Sequence, residues 1–227
     1  MDSGTFETCG LTAELRRCTQ RLHAEAERSG IIADILHGRI TMHGYGLFLR
    51  NLLPAYHALE QALASASQRP GVRRVADPRL YRSEALRADL GELFGPSWPQ
   101  QVVLLPAGEH YAEAVKSAAG GDGSRLIAHA YTRYLGDLNG GQVLRRLLAQ
   151  LLGLGPAALS FYDFPMISEP KVFAAEYRDA IDCGGAEIAK PEAVIDEAVA
   201  AFELNIQLSQ AVRHAYRPPV PEANGRQ

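Results

Sequence analysis

Apolar residues recur at helical spacing along almost the whole chain, and this pattern restricts its fold more than any other feature. Residues 11–29, for example, carry Leu15, Cys18, Leu22 and Ala26 on one stripe. Spacing by three or four residues is typical of an amphipathic helix. No segment combines sustained alternation with β-branched residues, so no strand is predicted. The pattern therefore predicts an all-α chain.

Capping residues and helix breakers divide this pattern into about seven or eight helices. Thr41 is expected to cap a helix that runs to about Ser65 and contains Pro54, and Ser83 is expected to cap a shorter helix. Further helices are predicted over residues 107–119, 124–152, 168–183 and 191–216.

The connections between these helices are short, so the chain is not divided into separate units. We expect a single-domain multi-helix bundle over residues 11–216. The ends, 1–10 and 217–227, are expected to be flexible because they are polar and lack the apolar period.

The composition excludes several classes of protein. With a formal net charge of −3, the chain of 227 residues has no overall basic field for nucleic acid. Three cysteines, Cys9, Cys18 and Cys183, form no CxxC pair, which argues against a disulfide scaffold. No secretory signal is present, and no apolar run approaches the ~18 residues that span a bilayer. We expect a soluble, cytoplasmic monomer without a membrane anchor.

Four polar residues share one face of the first predicted helix. Arg16, Gln20, His23 and Glu27 are spaced by four, three and four residues. In such a group His23 can bind a metal, Glu27 can accept a hydrogen bond from the other ring nitrogen, and Arg16 can meet an anionic group. A solvated surface cluster is the alternative. The other histidines form no HxxxH or HExxH pair, which argues against a multi-histidine metal site.

Three glycines interrupt the apolar pattern of residues 128–144, and each costs about 0.5–1 kcal/mol relative to alanine inside a helix. Gly136 and Gly140 face the same way, so a flat ligand could approach the backbone there. Close helix packing, or a turn at Asn139-Gly140, explains the glycines equally well.

Arg133 and Asp137 lie four residues apart beside these glycines. The carboxylate of Asp137 could order water near a bound ligand. A simple ion pair with Arg133 within the helix is the alternative.

The string AHAYTRYLGDLNGGQVL, residues 128–144, closely resembles the signature helix of the heme oxygenases, with Asn139 where a serine is usual. The segments LHAEAE at 22–27, YHALE at 56–60 and FELNIQL at 202–208 resemble other parts of that family in the same order. The resemblance covers residues 11–214.

The resemblance implies an enzyme that holds heme between two helices and cleaves it with O₂ at a meso carbon, giving biliverdin, CO and Fe²⁺. His23 would be the axial ligand of the iron, with Glu27 as its hydrogen-bond partner. The helix around Gly136, Gly140 and Gly141 would cover the distal face, where O₂ binds.

The resemblance also assigns the remaining site residues. Asp137 would order the distal water together with Tyr56, Tyr111 and Arg133, with Asn205 as an outer member. The heme propionates would contact Arg16, Tyr131 and Arg178. Ala174 departs from the family pattern because a lysine usually contacts a propionate there, and Lys171 is the expected substitute.

Electrons would come from an external donor, a ferredoxin or a soluble reductase, because the chain has no GxGxxG fingerprint for a nicotinamide or flavin. A downstream protein that uses the bilin is a further expected partner. Two alternatives remain open. One is a non-catalytic heme carrier or sensor on the same fold, and the other is a helical-bundle enzyme without heme, similar to the distant thiaminase-like proteins.

Overall fold

A computed structural model of the chain describes residues 10–216, which form α-helices joined by short connections, with no strand among them. The helices are α1 Leu11–Arg28, α2 Gly30–Leu36, α3 Met42–Ser65, α4 Val72–Val75, α5 Ser83–Phe94, α6 Trp98–Gln101, α7 Pro106–Ala118, α8 Leu126–Leu152, α9 Pro170–Gly185 and α10 Pro191–Tyr216. The all-α prediction is confirmed. The ends expected to be flexible lie outside the described residues, except for Gly10.

The structure contains more helices than the sequence predicted. The three that were missed, α2, α4 and α6, have seven, four and four residues. A helix of one or two turns has too few residues to show a periodic apolar stripe, so its sequence looks like a connection.

One predicted cap is confirmed and another is wrong. The Thr41 hydroxyl oxygen accepts a hydrogen bond from the backbone N–H of Gly44 at 3.1 Å, so Thr41 caps α3 as expected. Ser83 does not cap α5. It is the first helical residue, and its hydroxyl donates to the buried carboxylate of Glu60 on α3.

Helix α8 is continuous from Leu126 to Leu152, so Asn139-Gly140 does not form a turn. The side-chain amide of Asn139 donates to the carbonyl of Leu135 one turn earlier, at 2.6 Å. This contact adds a side-chain hydrogen bond to the turn of α8 that contains Gly136.

The arrangement of helices leaves a gap between α1 and α8. Both helices pack against α10 and α9, and they make few direct contacts with each other. Most buried apolar residues belong to one core, to which every described α-helix except α6 contributes. A separate small cluster of Leu22, Phe202 and Ile206 lies where α1 meets α10. No described helix is long and apolar enough to cross a membrane.

Glu60 joins α3 to the start of α5. Its carboxylate accepts hydrogen bonds from the backbone N–H groups of Arg82 and Ser83, the latter at 2.9 Å, and from the Ser83 hydroxyl. Because the first N–H groups of a helix lack intrahelical partners, a carboxylate from a neighbouring helix can replace a local cap.

We predict that Glu60→Ala lowers the free energy of unfolding by about 2–4 kcal/mol, since it leaves several buried donors without an acceptor. Urea denaturation followed by circular dichroism measures the change. Glu113→Ala is the matched control, because Glu113 forms an exposed pair with Lys116 and its loss should cost less than about 1 kcal/mol. Equal losses in the two variants would contradict the role assigned to Glu60.

Candidate functional site

His23 lies on α1, and its side chain is 60% exposed. Its Nδ1 is 3.5 Å from a carboxylate oxygen of Glu27, a little longer than a formed hydrogen bond. The other ring nitrogen, Nε2, has no partner among the described residues. Glu27 therefore lies near one ring nitrogen, and the other is available to a ligand.

An apolar floor supports the His23 ring. The ring of Phe202 on α10 lies 5.9 Å from it, centroid to centroid, at a tilt of 50°. Phe202 belongs to the small cluster with Leu22 and Ile206, and Tyr131 packs against that cluster. The contact between Phe202 and His23 joins residues far apart in the chain, so it left no local signal in the sequence.

A basic pocket of about 530 Å³ lies beside this floor. The three residues that the resemblance assigned to the propionates all line it, although they come from three different helices. Its lining residues are Thr12, Ala13, Arg16, Arg17, Gln20, Tyr131 and Arg178. The structure thus places a cluster of guanidinium groups on the same side of the molecule as His23.

The substitute proposed for the missing lysine is less well placed. Lys171 is exposed and does not line the basic pocket. Ala174 is buried, and its carbonyl accepts a hydrogen bond from Arg178 at 3.1 Å.

The three glycines of α8 have two different surroundings. A Cβ added to Gly136 or Gly140 would meet no neighbouring atom within 4 Å, so both face open space. A Cβ on Gly141 would lie 3.1 Å from the ring of Tyr162. Gly136 and Gly140 therefore form a flat, open backbone surface, whereas Gly141 allows close internal packing.

A buried hydrogen-bond network adjoins this open surface. The Tyr56 hydroxyl donates to Oδ2 of Asp137 at 2.5 Å, and Nε of Arg133 donates to the Tyr56 oxygen at 2.9 Å. Arg133 also donates to the side-chain oxygen of Asn205 on α10 at 2.5 Å. The structure thus brings together four of the predicted distal residues, from α3, α8 and α10.

The direct contact between Arg133 and Asp137 is longer, at 3.8 Å from Nη2 to Oδ1. This distance exceeds that of a hydrogen bond, so Oδ1 has no donor among the described residues. Asp137 is 5% exposed. The carboxylate is therefore more than a surface ion-pair partner, and one of its oxygens is available to a further donor.

Burial raises the pKa of Asp137 to about 6, although the charge of Arg133 and the hydrogen bond from Tyr56 act in the opposite direction. The charge of Arg82, which precedes α5, also lowers this pKa. Nothing in the local sequence around Arg82 connects it with α8, so its effect on Asp137 could not be predicted from the sequence.

Tyr111 on α7 is fully buried next to this network. Its hydroxyl makes no hydrogen bond to any described residue, while the charge of Arg133 acts on it electrostatically. A buried hydroxyl without a protein partner is commonly satisfied by an ordered water. Burial raises the pKa of Tyr111, and the nearby guanidinium of Arg133 acts to lower it, so Tyr111 interacts with the network through Arg133.

Comparison with known proteins agrees with this geometry. The chain is similar to heme oxygenase 1 of Nostoc sp. (strain PCC 7120), with 35% identity over 88% of this chain and 84% of that protein. It is 34% identical to human heme oxygenase 1 over 89% of this chain and 72% of that protein.

Solved structures of the same kind superpose on the fold. The structure of heme oxygenase-1 from Synechocystis sp. PCC 6803 in complex with heme matches with a TM-score of 0.85 and 32% identity, over 91% of this chain and 94% of that one. Heme oxygenase from Leptospira interrogans matches with a TM-score of 0.84 and 29% identity, over 89% of this chain and all of that one. The family model described as heme oxygenase matches residues 9–211. The chain belongs to the heme oxygenase family.

Proposed function

We propose that this protein binds heme through His23 and cleaves it at a meso carbon with O₂ and externally supplied electrons, releasing biliverdin, CO and Fe²⁺. The observation that carries the proposal is the juxtaposition of an open backbone surface at Gly136 and Gly140 with a buried carboxylate, Asp137, whose Oδ1 still lacks a donor. Relatives named heme oxygenase, two of them solved with heme, support the substrate.

The proximal side of the site fits heme. The unpartnered Nε2 of His23 provides an axial ligand of the kind heme iron accepts, and Glu27 lies near the other nitrogen to set the tautomer. The apolar ring of Phe202 offers a surface for a porphyrin edge. In the basic pocket, Arg16 and Arg178 can neutralise two propionates.

The distal side fits the flat face of the ring. Gly136 and Gly140 have no Cβ, so a planar ligand can approach the α8 backbone itself. This close approach offsets the cost of placing glycines within a long helix. Gly141 does not serve the same purpose, because it faces Tyr162.

Heme, once bound, supplies the iron that binds and activates O₂. The contribution of the protein is to orient the ring and to hold a proton source at its distal edge. At neutral pH Asp137 is mostly ionised, because its pKa is about 6. Its Oδ2 is occupied by Tyr56, so Oδ1 is the atom that would hold an ordered water near the ligand.

Arg133 and Tyr56 keep this carboxylate in place. Both approach from inside the core, and Asn205 anchors Arg133 from α10. The network is therefore rigid on the side facing the protein and open on the side facing the ligand. Such an arrangement suits the delivery of protons through water to one position.

The proposed reaction consumes electrons that the chain itself does not supply. We propose a ferredoxin or a soluble reductase as the donor. A protein that uses the bilin product would then act after this one.

The decisive experiment is single-turnover conversion of heme bound to the purified protein, with a ferredoxin and its reductase as electron source. We expect a Soret band on heme addition, then biliverdin with one CO per heme. His23→Ala should abolish the normal axial ligation, and imidazole added to that variant should restore it. Bound heme without product under several donors would indicate a carrier or sensor. No Soret band in the wild type would overturn the proposal altogether.

Gly140→Ala should separate heme contact from folding. In the heme-free protein we expect the free energy of unfolding to rise by about 0.5–1 kcal/mol, since alanine is the better helix former and its methyl group meets no neighbour. Heme affinity and turnover should fall, because the ring can no longer approach the backbone. Gly141→Ala is the control and should gain no stability, since its Cβ would press on Tyr162. Unchanged heme affinity in Gly140→Ala would refute the assigned surface.

The titration of Asp137 provides a test without heme. We expect a carboxyl pKa of about 6 in selectively ¹³C-labelled protein, measured by NMR. Removing a cation or a hydrogen-bond donor disfavours the carboxylate, so Arg133→Met and Tyr56→Phe should each raise this pKa further. Because the folded pKa exceeds that of an unfolded aspartate, ~4, the contribution of this group to stability is full below pH ~4 and is lost as the pH rises through ~6. A downward shift in either variant would contradict this electrostatic account.

A further inference from the structure

The N-terminus of α1 is capped by a residue from α9. Gly10 occupies the N-cap position of α1 and has no side chain with which to cap it. Instead, Oδ1 of Asp182 accepts a hydrogen bond from the backbone N–H of Thr12 at 2.7 Å, and Oδ2 accepts one from the Thr12 hydroxyl at 2.8 Å. One carboxylate thus fastens the first turn of α1 to the last turns of α9.

Two glycines make room for this junction. A Cβ on Gly10 would lie 2.7 Å from the carboxylate of Asp182, so any larger residue at the cap would displace it. A Cβ on Gly185 would lie 2.8 Å from the side chain of Leu11, which packs against the end of α9. The helices therefore meet through a polar contact, Thr12 with Asp182, and an adjacent apolar one, Leu11 with the end of α9. Gly10 leaves room for the first contact and Gly185 for the second.

The junction lies on the functional faces of both helices. Thr12 and Arg16 are four residues apart on α1, and both line the basic pocket. His23 is eleven residues beyond Thr12, close to three full turns, and so faces the same way. On α9, Asp182 follows Arg178 by four residues, which places the cap directly beside the basic residue of that helix.

We propose that Asp182 is a positioning residue that fixes α1 relative to α9 and thereby sets how heme is seated between His23 and the basic pocket. The inference rests on the proposed function, because it assumes that His23 binds the iron and that Arg16 and Arg178 bind the propionates. It assigns to Asp182 control over which meso carbon is cleaved.

A small tilt of α1 about its N-terminal end would move His23 further than Arg16. His23 lies about 16 Å along the helix axis from Thr12, so a tilt of about 5° at that end moves the imidazole by about 1.4 Å. Displacements of about 1 Å are enough to change a reaction that depends on fixed geometry. Arg16 lies only one turn from the junction and would move less. Loosening the junction therefore changes the position of His23 relative to the propionate contacts.

Asp182 acts through α1 rather than on the ligand directly. A carboxylate next to the pocket would repel propionates, so its charge alone cannot attract heme. Both of its oxygens are occupied by Thr12. Asparagine can keep both contacts, because its oxygen accepts from the Thr12 N–H and its amide can donate to the Thr12 hydroxyl oxygen. Asp182→Asn therefore removes the charge but keeps the contacts with Thr12, which separates the effect of the position of α1 from the effect of charge.

The test compares the heme complexes of wild type, Asp182→Ala, Asp182→Asn and the control Asp179→Asn. Asp179 is exposed on α9 with no hydrogen bond to any described residue, so its substitution removes the same charge without touching the junction. The measurements are biliverdin isomers after single turnover, heme loss to an apoprotein of high heme affinity, and amide hydrogen exchange at Thr12 in the heme-free protein.

For Asp182→Ala we expect a second biliverdin isomer, heme dissociation faster on the order of ten-fold, and faster exchange at Thr12. Asp182→Asn should restore the wild-type isomer and dissociation rate, and Asp179→Asn should match the wild type throughout. If Asp182→Ala exchanges faster at Thr12 but keeps one isomer and the wild-type dissociation rate, the contact is merely structural and the inference fails. If Asp182→Asn behaves like Asp182→Ala, charge rather than position is responsible, which also overturns it. A wild type that gives no biliverdin overturns the proposed function, and the inference fails with it.

Discussion

The site depends on the contacts of one buried group, the guanidinium of Arg133. It lies on α8 and contacts Tyr56 of α3 and Asn205 of α10, so one charged group joins three helices of the core. A buried charge is costly unless it is paired and hydrogen-bonded, and here the carboxylate of Asp137 lies close enough to compensate it. The same pairing keeps Asp137 mostly ionised at neutral pH in a site where burial alone would favour the neutral acid. Stability and electrostatics are therefore coupled through one side chain.

The gap between α1 and α8 follows from what holds these helices. Neither relies on the other, because both pack against α10 and α9. Two further contacts fix α1: the packing of Leu22 against Phe202 and Ile206, and the hydrogen bonds of Thr12 to Asp182. A ligand can enter between these helices with little disturbance of the core, because the direct contacts between α1 and α8 are few. His23 on α1 is exposed, whereas Asp137 on α8 belongs to a buried hydrogen-bond network.

The sequence predicted the long helices because their apolar stripes extend over several turns, and it predicted Thr41 because its hydroxyl caps the helix that it precedes. Within α1 and α8, helical spacing also grouped His23 with Glu27 and Arg133 with Asp137. Contacts between distant segments left no such signal. Asp182 and Thr12 are 170 residues apart, and Glu60 caps α5 from another helix. Periodicity also could not distinguish Gly141 from Gly136 and Gly140, because the difference lies in what each faces.

The surroundings of Asp137 favour a catalyst over a carrier on the same fold. Under the proposed function, holding heme needs an axial ligand, an apolar surface and cations for the propionates, for which α1, α9 and α10 offer His23, Phe202 and the arginines of the basic pocket. A carrier gains nothing from a buried carboxyl group whose pKa stays raised, at about 6, although Arg133 and Tyr56 both act to lower it. Burial therefore outweighs these two partners, and Oδ1 is left without a donor. A polar group that is buried, ionised and incompletely bonded beside an open surface has a physical rationale if a ligand brings water or O₂ to that surface.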